Sequence, residues 1–303
     1  MASNELNTSA LPPDALLWHY TDFKGLEGIL AGKIWASSVM YLNDTREYIH
    51  GLEIALEILQ NQLQLAIARQ GQFNGAAIAV TIHKQVLAAV AQRYQPVDIF
   101  VAAFSTKKDD LSQWRAYGRN GGPQFSVGFC PTALERRAIE YSSILEEVKY
   151  KRKDIEPEIT LALQAPLDHI IGEWRDSPSR APELAATSWA DLIAANLKTL
   201  APIYKDPTFE DEQEWRLIRE QPTDMHDQAS PLKFRQSGSL VIPYIEIPLC
   251  SLAAGTAADS PIAAITIGPS PHPTHLGYAV AELATRQGLR VRIDTSAVPF
   301  RNW

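Results

Sequence analysis

Two cysteines, Cys130 and Cys250, are all that this 303-residue chain contains. They form no CxxC pair and have no zinc-site spacing, so a disulfide framework and a structural zinc are excluded and plain structural thiols are expected. Positive charge is also scarce. Lys and Arg total 28 against 35 Asp and Glu, a net charge of -7. That balance argues against sequence-independent binding to phosphate backbones, which draws on clustered basic side chains. The basic run 149-KYKRK-153 is the candidate exception and reads as a solvated charge run on a linker. Long apolar runs are missing too: 261-PIAAITIG-268 falls far short of the roughly 20 residues of a membrane-spanning helix. The leader MASNELNTSALPPD has neither the basic segment nor the apolar stretch of a secretory signal, which predicts a cytoplasmic protein without a membrane partner. Several catalytic strings are absent as well. There is no GxSxG nucleophile turn, and the seven His residues are dispersed. His272 and His275, the nearest pair, lie at a helix entry, so no metal is predicted. The turn 118-GRNGG-122 follows a helix and lacks the G-x-G-x-x-G order, so it reads as a turn.

Hydrophobic residues make up 46% and charged residues 21% of the chain, the balance of a folded globular protein. Residues 15-ALLWHYT-21 read as a first strand. In 22-DFKGLEGILAGK-33, Asp22 is a cap, Phe23, Leu26, Ile29 and Leu30 recur at helical spacing, and Gly32 is a stop. Residues 34–42 read as strand. A long helix follows, opened by Asp44 and Glu47 at capping-box spacing and continued by a second helix over 76–94. Pro96 breaks the pattern before the buried strand 98-DIFVAAFST-106. A short helix over 109–118 and an alternating strand over 124–130 come next. Residues 132–146 and 182–204 favour helix, with 147-EVKYK-151 a possible edge strand. From 214-EWRLIRE-220 onward the chain returns to strands at 240–249, 262–269 and 289–296, with one helix over 275–287. The fold class predicted is α+β: one domain over 1–303 with a mixed or antiparallel β-core and helical insertions over about 44–95 and 132–204.

Polar and aromatic residues gather at the strand ends: His19, Tyr20 and Thr21; Asn43, Asp44, Arg46, Glu47 and Tyr48; Ser105 and Thr106; Trp114, Arg115 and Tyr117; Glu212, Glu214 and Arg216. Each has a structural alternative. Trp114 and Tyr117 fit a helix face in the core, Asp44 and Glu47 a capping pair, and Glu212 the solvated acidic run 210-EDEQE-214.

In order, the strings LWHYT, GLEGILAGKIWASS, YLNDTRE, FVAAFSTKKDDLSQWRAYG, DEQEWRL, ITIGP and SAVPFR closely resemble a mainly bacterial family known as domain of unknown function 2971. The opening H-x-T strand, helix and Gly also resemble the DarT-type DNA ADP-ribosyltransferases and the wider transferase fold built on His, an aromatic and Glu. That resemblance implies a split β-core and NAD as substrate. It puts His19 on the adenosine-side ribose, with Thr21 beside it on the same strand face. Glu214 becomes the catalytic carboxylate and Glu212 its acceptor-activating neighbour. Tyr20 and Ser105 would line the NAD site. Tyr48, in competition with Tyr41 and Tyr117, would stack on nicotinamide, and Arg46, Arg115 or Arg216 would meet the pyrophosphate. Cleaving the nicotinamide–ribose bond builds an oxocarbenium-like charge that a fixed carboxylate stabilises. The implied activity is ADP-ribosyl transfer to a macromolecule, with DNA or RNA as candidate acceptors, or to water, in a toxin or phage-defence setting. Two alternatives are an inactive binding or regulatory module on the same fold and an RNA-end phosphotransferase.

Overall fold

The computed structural model describes residues 8, 11–42, 46–68, 80, 84–85, 87–88, 99–117, 122–162, 193, 196–197, 200–220, 231–250 and 259–299. The chain forms two compact units. The first comprises Met1–Ser38, Asp98–Glu147 and Glu210–Trp303; the second comprises Val39–Val97 and Val148–Phe209.

The first unit is built on ten strands: β1 Leu17–Asp22, β2 Lys33–Ser38, β3 Ile99–Ser105, β4 Gln124–Phe129, β5 Ile144–Glu147, β6 Glu214–Glu220, β7 Lys233–Ser237, β8 Leu240–Pro248, β9 Ile262–Ile267 and β10 Arg292–Thr295. The main path runs β10-β9-β4-β1-β3-β2-β8-β7, and β6 pairs with β3 and β5. All pairings are antiparallel except β9 with β10, which a crossover helix, Pro273–Arg286, connects, as a parallel pair requires. The sheet is therefore mixed and mostly antiparallel, and the fold class is α+β.

Helix α1, Phe23–Leu30, forms where the sequence suggests. Asp22 accepts the Gly25 N–H at 2.9 Å, and Leu26, Ile29 and Leu30 enter a core shared with Phe100, Phe104, Phe125, Val127 and Ile245. Gly25 is needed for a second reason, because a Cβ there would fall 1.9 Å from the Thr21 hydroxyl. Helix α2 is Arg46–Ala68 in the second unit, α3 is Leu111–Tyr117, α4 is Pro131–Glu140 and α5 is Pro273–Arg286.

Several boundaries differ from the sequence reading. The strand expected over 34–42 ends at Ser38 and becomes a short 3-10 turn, Val39–Tyr41. The helix expected over 132–146 stops at Glu140, and β5 then pairs with β6. Thus α4 and β5 belong to the first unit, and the second inserted segment begins at Val148 rather than near 132. Strand β7 was not expected, because its sequence KFRQS carries little apolar alternation. It folds back on β8 through the Gly238–Ser239 turn, where Gly238 has φ +58°; a two-residue glycine turn of this kind is the signal that could have revealed it.

In the second unit, α2 buries Tyr48, Leu52, Ala55 and Leu59 at helical spacing. Gly51 permits a close approach, since a Cβ there would lie 2.4 Å from the Ala201 carbonyl oxygen. Residues 152–162 are helical. The basic run is largely neutralised within this unit: Lys149 pairs with Glu158, and Arg152 pairs with Glu57 at 2.9 Å and with Glu156. Of the helix expected over 76–94, residues 80, 84–85 and 87–88 are helical; the remainder lies outside the described residues. No helix among the described residues is long and apolar enough to cross a membrane.

Candidate functional site

Strand β6 pairs with β3 along its whole length, Ile99–Ser105. Both other neighbours of β3 must therefore share its opposite edge, and each takes a small part of it. Strand β1 meets β3 at the pair Trp18 and Ser105, and β2 meets it at Ser37 with Val101 and Ser38 with Phe100. Between those contacts the sheet forks at Ala103. Backbone groups of alternate residues point to the same edge in an antiparallel ladder, so the Ala103 carbonyl faces the gap between Val101 and Ser105. His19 fills that role: its Nδ1 lies 2.8 Å from the Ala103 oxygen.

A carbonyl oxygen only accepts, so Nδ1 carries the proton and donates. Burial lowers the His19 pKa from its ordinary 6.5; the backbone hydrogen bond works the other way, and the charge of Arg235 adds to the lowering. The ring is thus neutral at pH 7, with Nε2 bare. Among the described residues, Nε2 has no hydrogen-bond partner. The ring packs on Phe104, with centroids 5.6 Å apart. Thr21 follows two residues along on the same face of β1.

Other residues expected at the site are occupied with structural work. Tyr20 is buried; its hydroxyl donates to the Lys107 carbonyl at 2.8 Å and accepts the Asp110 N–H at 3.0 Å, and burial raises its pKa. Trp114 packs edge-on against it and gives its indole N–H to Asp109. Ser105 donates to the Glu212 carbonyl at 2.6 Å and accepts the Lys107 N–H, which holds the strand end against the approach to β6. The half-buried Glu212 closes the 3-10 turn Pro207–Glu212.

Glu214 and Arg216 form a buried pair on β6, with Nε to Oε1 at 2.7 Å and Nη2 to Oε2 at 3.0 Å. Between Glu212 and Glu214, Gln213 has φ +47° and is held by hydrogen bonds from the Thr106 backbone and side chain. Ser105 stands opposite both Trp18 and Glu214. Side chains of directly paired residues share a face, so Trp18, Ser105 and Glu214 lie on one face, while His19, Phe104 and Trp215 lie on the other. The structure therefore does not bring His19 and Glu214 onto one face, as the single-site expectation required.

Tyr48, preferred as the stacking aromatic, belongs to α2 of the second unit and is buried there. The helical backbone of Arg46 and Tyr117 is described, but their side chains lie outside the described residues, as does Asp44. Arg115 is exposed on α3.

One residue absent from the sequence expectations is Arg235 on β7. It faces the same side of the sheet as Ser37 and Tyr244, two strands away and one strand away respectively. Its Nη2 donates to the Ser37 hydroxyl at 3.0 Å, and its buried Nε has no partner. Burial works against its charge, and Asp22 and Tyr244 offset this through space. A lone Arg in a short polar strand gives no sequence signal; only the hairpin register carries it to the fork.

Residues 113–217, about a third of the chain, match the family model described as "Protein of unknown function (DUF2971)". No curated protein and no solved structure matches the chain. The matched stretch holds Glu214 and Arg216 and leaves His19, Ser105 and Arg235 outside.

Proposed function

We propose that this protein is an ADP-ribosyltransferase-like module that binds NAD, with the fork between β1 and β2 as its nucleotide site. The observation that carries the reading is the His19 imidazole, whose Nδ1 proton is given to Ala103 and whose neutral Nε2 is left to accept. A ribose hydroxyl is the complementary donor. The choice of NAD rests on the resemblance in the sequence, and the placement rests on the fork.

Turnover is a second reading, favoured by the strained backbone at Gln213 beside Glu214, since such strain persists where the surroundings impose it and gathers at functional sites. In that reaction the bond between nicotinamide nitrogen and ribose carbon breaks, and its electron pair leaves with nicotinamide. The cationic sugar is then attacked by an acceptor hydroxyl, amine or water, which releases a proton. A carboxylate must lie against the sugar. Glu214 is instead engaged by Arg216 and lies on the face away from His19, which supports binding over turnover.

The test is calorimetric titration of NAD, together with nicotinamide release measured with and without DNA, RNA and cell lysate. Wild type, His19→Ala and Glu214→Gln are compared. The binding reading expects NAD affinity in wild type, a loss of roughly tenfold or more in His19→Ala and no release. Release that disappears in Glu214→Gln would establish the enzyme, and absence of NAD binding would overturn both readings.

A further inference from the structure

At one spot on the sheet of the first unit, polar side-chain atoms are buried without hydrogen-bond partners among the described residues: both amide atoms of Gln124, which is 5% exposed, and the hydroxyl of Thr266, which is wholly buried. Gln124 and Ser126 lie two apart on β4, and Ser126 stands opposite Thr266 on β9, so the three share one face. Ser126 also stands opposite Tyr20 and meets its hydroxyl. This is the face of Trp18, Tyr20 and Glu214, away from His19. Buried donors and acceptors are nearly always paired, because one stripped of water and left alone destabilises the fold.

The indole of Trp114 covers this spot. Gly268 gives its N–H to the Gln124 carbonyl at 2.8 Å, and a Cβ on Gly268 would lie 2.9 Å from the Trp114 Cζ3 and 3.1 Å from the Gln124 Cβ. The benzo edge of Trp114 therefore takes the space over Gly268, beside Gln124. That edge is hydrocarbon and offers neither donor nor acceptor, while the ring nitrogen gives its proton to Asp109 at 2.7 Å. Asp109 is itself held by the Ser296 hydroxyl at 2.6 Å and the Ala297 N–H at 2.8 Å. The slot thus fits a flat bicyclic ring, but its polar wall matches nothing on the ring inside it.

A carboxamide presents a donor and an acceptor side by side, and the amino edge of adenine, N6–H beside N7, is its complement in a bidentate pair. The Thr266 hydroxyl, which both donates and accepts, supplies a further contact. We infer that the slot over Gly268 is a binding site for an adenine base, with Gln124 pairing to its amino edge, and that Trp114, latched by Asp109, fills the slot in the ligand-free protein. The site lies on the face opposite His19 and does not depend on NAD binding at the fork.

The full-length protein is titrated calorimetrically with adenosine and with purine riboside, which lacks the 6-amino group, as wild type, Gln124→Leu, Thr266→Val, Asp109→Ala and His19→Ala, and each ligand-free variant is melted. Adenosine should bind wild type, and purine riboside should bind more weakly by roughly tenfold or more. Gln124→Leu should weaken adenosine to a similar degree and raise the melting temperature of the free protein, because unpaired polar atoms are gone. Thr266→Val should act in the same directions, and it decides the matter if Gln124→Leu does not fold. Asp109→Ala, which releases the Trp114 N–H, should lower the melting temperature yet tighten adenosine, because less free energy is needed to clear the slot. Lower melting temperatures for both Gln124→Leu and Thr266→Val would show that water already satisfies these groups, and would overturn the assignment. Equal adenosine affinities in wild type and these two variants, or no adenosine binding in wild type and Asp109→Ala alike, would overturn it as well. His19→Ala should leave adenosine binding unchanged, so that a loss of NAD binding in that variant bears on the fork alone; a loss of adenosine there would move the base to the fork and end the assignment.

Discussion

The carboxylate of Glu214 and the guanidinium of Arg216 meet through two hydrogen bonds of 2.7 and 3.0 Å, and both side chains are almost wholly buried. Residues two apart on a strand share a face, so the spacing E-W-R creates this pair, and burial gives it its importance. Removing one partner takes these two hydrogen bonds from the other, a charged group in a poorly solvated interior. Glu214→Gln is expected to lower stability by about 3–5 kcal/mol, and the double variant Glu214→Leu/Arg216→Met to recover most of it. Urea unfolding of both variants checks this; a loss below about 1 kcal/mol for the single change would show that the pair is not structural.

His19 makes stability depend on pH. Its folded pKa lies below 6.5 because burial disfavours the imidazolium, whereas the unfolded chain protonates near 6.5. Between those values the unfolded state holds more protons, so stability rises with pH. It levels off above 6.5 and falls as the pH drops through the folded pKa. Ligand affinity through Nε2 should follow the same trend, lost in acid and flat above neutrality. The acid-side slope of the unfolding free energy should be shallower in His19→Gln; an unchanged slope would show that other groups produce it.

Gly25→Ala is expected to cost about 1–3 kcal/mol, because the new methyl would meet the Thr21 hydroxyl at 1.9 Å. The conflict is with a side chain rather than with backbone. Thr21→Ala should therefore rescue Gly25→Ala, and additivity of the two costs in thermal melts would count against this contact.

Gln213 sits at φ +47° between Glu212 and Glu214, a region that β-branched residues rarely enter. Gln213→Val should destabilise by about 1–3 kcal/mol and disturb the register of β6 against β3. Amide hydrogen exchange at Arg216 and Leu217 reports the second effect, and unchanged protection there would rule it out.

Much of the fold was legible because local patterns act locally. The apolar spacing of Leu26, Ile29 and Leu30, with Asp22 in front, specifies α1 without help from distant residues. The apolar run over 98–106 likewise specifies a central strand, and β3 is buried at nearly every position. The strand KFRQS was hidden for the opposite reason: its order comes from pairing with β8, not from its own side chains. The candidate site divides in the same way. His19 could be marked by its string, but the carbonyl that it serves exists only because two strands share one edge of β3.

The sequence by itself determined the α+β class, the capped helix α1, the central strand and a His and a Glu each worth testing, because propensity, capping and periodicity are carried by neighbouring residues. Only the tertiary structure decided that His19 stands at a fork, that Glu214 is locked to Arg216 on the opposite face, and that Arg235 reaches Ser37 from two strands away. Those relations are fixed by strand register between segments up to 198 residues apart. In a sheet, a shift of one residue exchanges the faces, so no local pattern can settle which side chains share a site.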